Sequence, residues 1–185
     1  MLTKEEFADA QKMALKYFRK AGIVLTAQEE KAIEVADFGL GDLGNIGLEL
    51  IVYVNTERVC AKELVLFPHQ TCPEHRHPGR GSLPGKEETF RCRMGKVYLY
   101  LPGKPCEKPV TGGLEKYEGC FTVFHEIELN PGEQYTLPPD TLHWFRAGGE
   151  GAVVSEFSTT STDEADIFTD PSINRFTKLA DKTSS

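Results

Sequence analysis

The chain has 185 residues and a net charge of −7 at neutral pH, which disfavours nucleic acid and anionic membranes as partners, because neither attracts a surface of its own sign. Hydrophobic residues at 39% and charged residues at 26% are the mix of a soluble globular protein, and the length suits a single domain able to bury a core without staples. Five cysteines (60, 72, 92, 106 and 120) form no Cys-x-x-Cys pair and are odd in number, so a disulfide framework and a zinc knuckle are both disfavoured and a reducing compartment fits. No run of about 18 apolar residues occurs and the N-terminus is amphipathic rather than signal-like, so the expectation is a cytoplasmic protein with no membrane association.

In chain order, Thr3-Lys-Glu-Glu6 is a capping box that opens a helix with Phe7, Ala10, Ala14, Tyr17 and Phe18 on one face and Gly22 as its stop. A second box, Thr26-Ala-Gln-Glu29, predicts a helix running through Ile33 and Val35 to just before Gly39. Each helix has one apolar stripe, which a sheet face would cover. The glycines at 39, 41, 44 and 47 are not followed by Gly-Lys-Ser/Thr and have no strand before them, so they predict a turn rather than a phosphate loop.

Beyond this turn the pattern changes to short β-rich runs. Leu48–Val54, Glu63–Phe67, Cys72–His77, Thr89–Arg93, Val97–Leu101, Gly119–Leu129, Gln134–Leu137, His143–Ala147 and Ala152–Ser158 read as strands separated by Gly- and Pro-containing turns. That spacing predicts a mainly β fold, a jelly-roll barrel of two antiparallel sheets with the N-terminal helices packed outside. Residues 1–40 form the helical segment of this reading, 48–158 the barrel, and 159–185 a polar, acidic wrap with a short helical or extended piece over Pro171–Ala180 and a frayed end.

One stretch, Pro73-Glu-His75-Arg-His77-Pro78, carries the chemistry. Alternate residues of a strand share a face, so His75 and His77 point the same way, about 6.5–7 Å apart. On the same phase Thr71 and Pro73 join them, with Glu74 and Arg76 opposite. Glu88 begins the next strand eleven residues after His77, and His143 follows the turn Pro138-Pro139-Asp140. Three imidazoles and a carboxylate would hold one divalent cation and leave two octahedral positions open; Mn²⁺, Fe²⁺, Co²⁺, Ni²⁺ and Zn²⁺ all suit that donor set. Taken singly, a His-x-His on a strand or a Glu88 beside Glu87 can equally be surface residues; the specificity lies in the combined spacing. His-x-His, Glu88 with Gly95 seven positions on, and Pro-x-Asp-x-x-His match the two cupin motifs.

The long step from His77 to Glu88, the runs Gly85-Lys-Glu-Glu-Thr-Phe-Arg-Cys-Arg93 and Val97-Tyr-Leu-Tyr-Leu-Pro-Gly103, and the tail Ser155-Glu-Phe-Ser158 with Asp163-Glu-Ala-Asp166-Ile-Phe-Thr-Asp-Pro171 resemble the cupin-type D-lyxose isomerases over nearly the whole chain. The resemblance implies a Mn²⁺-dependent aldose–ketose isomerase and a homodimer. It also implies free monosaccharides as substrates: D-lyxose and D-xylulose, with D-mannose and D-fructose besides. Moving a carbonyl from C1 to C2 requires a base to lift a proton from C2 and return it at C1, through an enediolate that a Lewis-acidic cation stabilises. Lys86, two residues before Glu88, and Glu156, a charge among the apolar neighbours Val153-Val-Ser-Glu-Phe157, are the catalytic candidates, with Glu156 as base. A solvated lysine and an outward-facing carboxylate are the alternatives for those two positions. Asp166 and Arg175, with Asp163, match the family's tail pattern as substrate contacts or as a salt bridge within the tail. His69 and His125 read as packing or as support for the ligands, Trp144 as core, and Tyr98 or Tyr100 as wall. The competing functions are a phosphosugar isomerase, an Fe²⁺ dioxygenase or a non-catalytic sugar-binding cupin. Arg91 and Arg93, the candidate phosphate binders, fall on the face opposite Glu88.

Overall fold

The computed structural model describes residues 1–82 and 84–180; the frayed end expected at 181–185 lies outside them. Helix α1 (Lys4–Lys20) begins at the first capping box, where Thr3 Oγ1 accepts from the Glu6 amide at 3.1 Å and Glu6 Oε2 accepts from the Thr3 amide at 2.8 Å. It buries Ala10, Ala14 and Phe18, four residues apart, and Gly22 follows with φ of 76°. The second capping box forms as well, but α2 (Ala27–Ala32) stops earlier than the sequence pattern suggests. Ile33 leaves the helical region, and Glu34–Ala36 becomes β1, an edge strand on β2 (Leu48–Asn55). The correction has a packing cause: as an extended pair, Ile33 and Val35 are both buried to 1% exposure, which a six-residue helix lying on the surface could not achieve for both.

The sheet continues through β3 (Cys60–Leu66), β8 (His143–Ser158), β4 (Thr71–Arg76) and β9 (Ile167–Phe168), while β5 (Glu88–Leu101) pairs with β6 (His125–Leu129), β7 (Gln134–Leu137) and β8. The two sheets expected from the sequence therefore share long strands and form one curled antiparallel barrel. Thr89–Arg93 with Val97–Leu101, and His143–Ala147 with Ala152–Ser158, are not four strands but two long ones, because Met94-Gly95 stays paired with β8 between two register shifts and Gly148-Gly149 is carried within a strand. Gly95, at φ of 76°, has to be glycine: a Cβ there would lie 1.9 Å from the Gly151 carbonyl oxygen.

The predicted strand Gly119–Leu129 survives only from His125 onward. The amides of Thr122 and Val123 serve the carboxylate of Glu74 instead of a ladder, so this segment lies across the outside of β8 as a loop. Phe18, Ala14, Leu25 and Ile33 cover Ile51, Val65 and Val153 on the outer sheet face, while Leu50, Leu64, Phe90, Leu99 and Phe145 belong to the main barrel core. The tail returns to β4 through β9 and reaches the N-terminus through a Leu2–Leu179 bridge; Pro171–Ala180 is not helical. No described helix is long and apolar enough to cross a membrane.

Candidate active site

The histidines meet because β4 and β8 are paired with His75 directly opposite His143. A register shift between Cys72 and His75 alters the face assignment expected from simple alternation. Cys72, rather than Thr71 or Pro73, lines the cavity with His75. Pro73 has no N–H to give the ladder, which is where a bulge is tolerated. His77 lies one residue past the strand end and still reaches the same point.

Each imidazole is anchored through Nδ1. His75 Nδ1 meets the Pro73 carbonyl at 2.8 Å, His143 Nδ1 the Thr141 carbonyl at 2.9 Å, and His77 Nδ1 the Asp166 carboxylate at 2.5 Å. A carbonyl can only accept, so His75 and His143 carry their protons on Nδ1 and turn Nε2 lone pairs toward a common centre. The three histidine donor atoms lie within 4.8 Å of one another. Glu88 Oε1 is 3.1 Å from His77 Nε2 and 3.2 Å from His143 Nε2, yet neither contact is aligned as a hydrogen bond, and both nitrogens are buried without a partner among the described residues. Ligands around one ion at about 2.1 Å stand no more than ~4.2 Å apart, so a contraction of the three histidines suffices. Buried nitrogen lone pairs converging beside a carboxylate oxygen fit a divalent cation, and the three histidines can bind one.

The electrostatics agree. Burial, reinforced by the neighbouring imidazoles of His143 and His77, holds His75 well below its ordinary pKa, and burial lowers His143 to about 4. Burial alone would raise Glu88, but Lys86 and the imidazoles of His77 and His143 outweigh it and keep the carboxyl well below the usual range. His77 goes the other way: burial depresses it, but the Glu88 and Asp166 carboxylates win and push it up to about 9.

Beside this centre runs a buried chain of opposite charges. Lys86 Nζ lies 2.7 Å from Glu88 Oε2 and 2.9 Å from Glu156 Oε1. Lys62 Nζ is 3.7 Å from the same Glu156 oxygen and 2.9 Å from Asp163, and Asp163 continues at 3.3 Å to Arg175, which also pairs with Glu34. Glu156 faces inward because it pairs in register with Lys62 on one side and Phe90 on the other. Burial lowers the Lys86 pKa, yet Glu156 and Glu88 more than offset this and hold it well above its ordinary value, so the ammonium stays charged.

Of the residues singled out by sequence, His75, His77, Lys86, Glu88, Glu156, Asp163, Asp166 and Arg175 line one cavity of about 30 Å³. His143 stands behind it, its ring centroid 4.4 Å from that of His75. His69 occupies a turn at φ of 60°, and His125 bonds the Lys104 carbonyl; neither lines the cavity. Trp144 is core, as its position after His143 suggests, and Tyr100 is stacked on it away from the cavity. Sequence reasoning missed Lys62, Cys72 and Phe168. Lys62 had a usable signal, a charge inside the strand Cys60-Ala-Lys-Glu-Leu-Val-Leu66 whose neighbours are all buried or nearly so. Phe168 had none, since its stacking on His75 (5.5 Å, 30°) depends on the two-residue β9.

A curled antiparallel barrel with imidazoles and carboxylates gathered inside it is a cupin-type fold of the sugar-isomerase kind. In structural comparison the chain resembles L-ribose isomerase of Cellulomonas parahominis bound to L-ribose (TM-score 0.75, 17% identity, 94% of this chain and 95% of that one) and L-ribose isomerase of Acinetobacter sp. DL28 (TM-score 0.74, 15% identity, 93% and 94%). At the sequence level it is 60% identical over 181 residues to a D-lyxose/D-mannose isomerase of Thermosediminibacter oceani, covering 98% of this chain and 100% of that protein. It is 59% identical over 179 residues to a D-lyxose ketol-isomerase of a Thermofilum species, covering 97% and 99%, and residues 104–185 match the D-lyxose isomerase family model. The chain belongs to the D-lyxose isomerase family and is a sugar isomerase that interconverts an aldose and a ketose.

Proposed function

We propose that the protein interconverts D-lyxose with D-xylulose, and D-mannose with D-fructose in the same site, using a divalent cation, Mn²⁺ first, held by His75, His77, Glu88 and His143. The observation that carries the reading is the contact of Lys86 Nζ with both Glu88 (2.7 Å) and Glu156 (2.9 Å), which supports Glu156 as a carboxylate base beside the cation site. When bound, the cation supplies Lewis acidity toward the carbonyl and hydroxyl oxygens of the sugar. Glu156 takes the proton from C2 of the aldose, exchanges it with solvent and delivers a proton to C1. The hydroxyl proton passes from O2 to O1, so that C1 becomes the alcohol and C2 the carbonyl. Lys86, kept charged by its two carboxylate neighbours, supports the negative charge that develops on the sugar oxygens. Asp166, with Oδ1 committed to His77, offers its other oxygen to a sugar hydroxyl, and Arg175 binds hydroxyls from the far side of Asp163. The apolar wall of Leu50, Leu64, Phe90 and Phe145 lowers the polarity around the proton transfer. At about 30 Å³ the cavity has room for an ion and little more, not for a pentose, so the sugar enters by displacing side-chain contacts across it.

Charge balance favours a free sugar over a phosphosugar. Among the described residues, the cations lining the cavity (Lys62, Lys86 and Arg175) all contact carboxylates, and Arg91 and Arg93 do not line it. The family resemblance extends the proposal to a homodimer, which sedimentation velocity checks. Five free cysteines, three of them buried, support a reducing compartment. A panel of free and 5- or 6-phosphorylated aldoses, assayed with chelator and with Mn²⁺ restored, tests the whole reading. Turnover of free D-lyxose and D-mannose only with the cation is expected; preference for phosphosugars, or oxygen uptake in place of isomerisation, would overturn it.

A further inference from the structure

Glu74 follows the same strand as His75 but points the other way, and nothing in the chemistry above uses it. Glu74 is 1% exposed, and among the described residues no cation pairs with it. A buried carboxylate in that position needs several donors. It has four: Oε2 accepts from the amides of Thr122 (2.6 Å) and Val123 (3.0 Å), and Oε1 accepts from the hydroxyls of Thr122 (2.8 Å) and Thr169 (2.6 Å). The Glu74 backbone carbonyl accepts from the Thr169 amide as well, at 3.0 Å. One residue therefore joins three pieces of chain: β4, the loop over Trp144, and the tail.

The tail arm leads straight to the candidate cation site. Thr169 follows β9, whose pairing with β4 sets Phe168 opposite His75. Phe168 stacks on the His75 ring, and Asp166, just before β9, holds His77 Nδ1 at 2.5 Å. β9 is only two residues long and makes few ladder bonds of its own, so it depends on what secures its end.

We propose that Glu74 is a positioning residue, which acts through Thr169 to fix β9 and thereby the orientation of Asp166 against His77 and of Phe168 against His75. The inference rests on the cation site proposed above. The loop arm, through Thr122 and Val123, serves stability instead, because that loop covers Trp144 and not the cavity.

The two arms separate experimentally. Thr169→Val removes one hydroxyl bond on the tail side, and Thr122→Val removes one on the loop side. Partners that orient ligands are typically worth about 10–100-fold in metal affinity. With one residue intervening, Thr169→Val should weaken Mn²⁺ binding, read by electron paramagnetic resonance or calorimetry, by up to about tenfold, with the melting temperature of the metal-free protein nearly unchanged. Thr122→Val should lower that melting temperature and leave Mn²⁺ affinity at the wild-type value. Glu74→Gln should stay close to wild type in both, because the amide oxygen can accept from the two backbone N–H groups while its NH₂ donates to the two hydroxyls. Wild-type Mn²⁺ affinity from Thr169→Val, or an equal loss of affinity from Thr122→Val, would overturn the proposal. A wild-type protein that binds no Mn²⁺ would instead overturn the cation site on which it rests, so the two failures are distinguishable.

Discussion

On the outer side of β8, Trp144 stacks on Tyr100 at 3.9 Å, donates its indole N–H to the Val123 carbonyl at 2.7 Å and is closed in by Phe121 and Phe124. On the inner side, one residue earlier, His143 is equally buried, and its Nε2 has no partner. Both side chains are cut off from water, but only the tryptophan has its polar atom paired. Leaving a buried polar atom unpaired costs about 1–3 kcal/mol, so the fold carries a deficit on the inner side that its own packing does not remove. Unpaired nitrogens gathered around one point are what a site looks like when it is built for something other than stability.

The sharpest way to break this comparison is to truncate each side in turn. His143→Ala should abolish turnover and lower Mn²⁺ affinity by orders of magnitude while costing less stability than Trp144→Ala. Trp144→Ala should cost about 3–5 kcal/mol of unfolding free energy and keep the activity of each folded molecule. Denaturant melts paired with metal titrations of the two variants check this, and a Trp144→Ala protein that folds but binds no cation would erase the distinction. Next in size, Glu156→Gln should lower kcat about 10²- to 10⁴-fold at unchanged Mn²⁺ affinity. If that variant keeps its turnover, Glu156 is not the base.

The same inner side responds to pH. His77, raised to about 9, holds a proton that a cation must displace. Mn²⁺ affinity should therefore climb by up to about tenfold per pH unit below that value and level off above it, with a proton released on binding. A flat affinity between pH 6 and 8 would contradict the raised value.

The smallest effect tests whether every unpaired buried polar atom marks a function. Glu49, in β2, has a buried Oε2 without a partner, and burial pushes its carboxyl well above the ordinary range although Gln70 donates to Oε1 at 3.2 Å. A carboxyl raised in the folded state is favourable below the unfolded pKa of about 4.5, and stability is lost as pH climbs from there through the raised folded value. Glu49→Gln should accordingly gain about 1 kcal/mol, roughly 2–4 °C in melting temperature, at pH 8 and almost nothing at pH 4.5, with activity unchanged. Lost activity would extend the functional region to the outside of the barrel.

Much of the fold and of the site is legible in the amino-acid sequence. The capping boxes at Thr3 and Thr26, the β-rich runs and the spacing of His75, His77, Glu88 and His143 are local signals, and local signals survive folding. Glu156 is visible because a charge among apolar strand neighbours needs a reason. The consequences of long-range pairing are not legible. The bulge at Pro73 that brings Cys72 beside His75, and the edge of β2 that draws Glu34–Ala36 out of the helix, exist only once the partner strand is present. The Glu74 contacts are of the same kind, since their partners lie 48 to 95 residues away. Lys62 sits between these cases, with its charge visible in the sequence but its role settled only by Glu156 and Asp163 across the barrel.

The central claim is that Glu156 moves a proton on a sugar bound beside a cation. Supplying Mn²⁺-loaded protein with D-lyxose in D₂O and reading the product by NMR tests it most directly. The account predicts D-xylulose carrying solvent deuterium at C1, its formation stopped by chelator and nearly lost in Glu156→Gln. D-xylulose formed without solvent deuterium, or formed at the wild-type rate by Glu156→Gln, would contradict it.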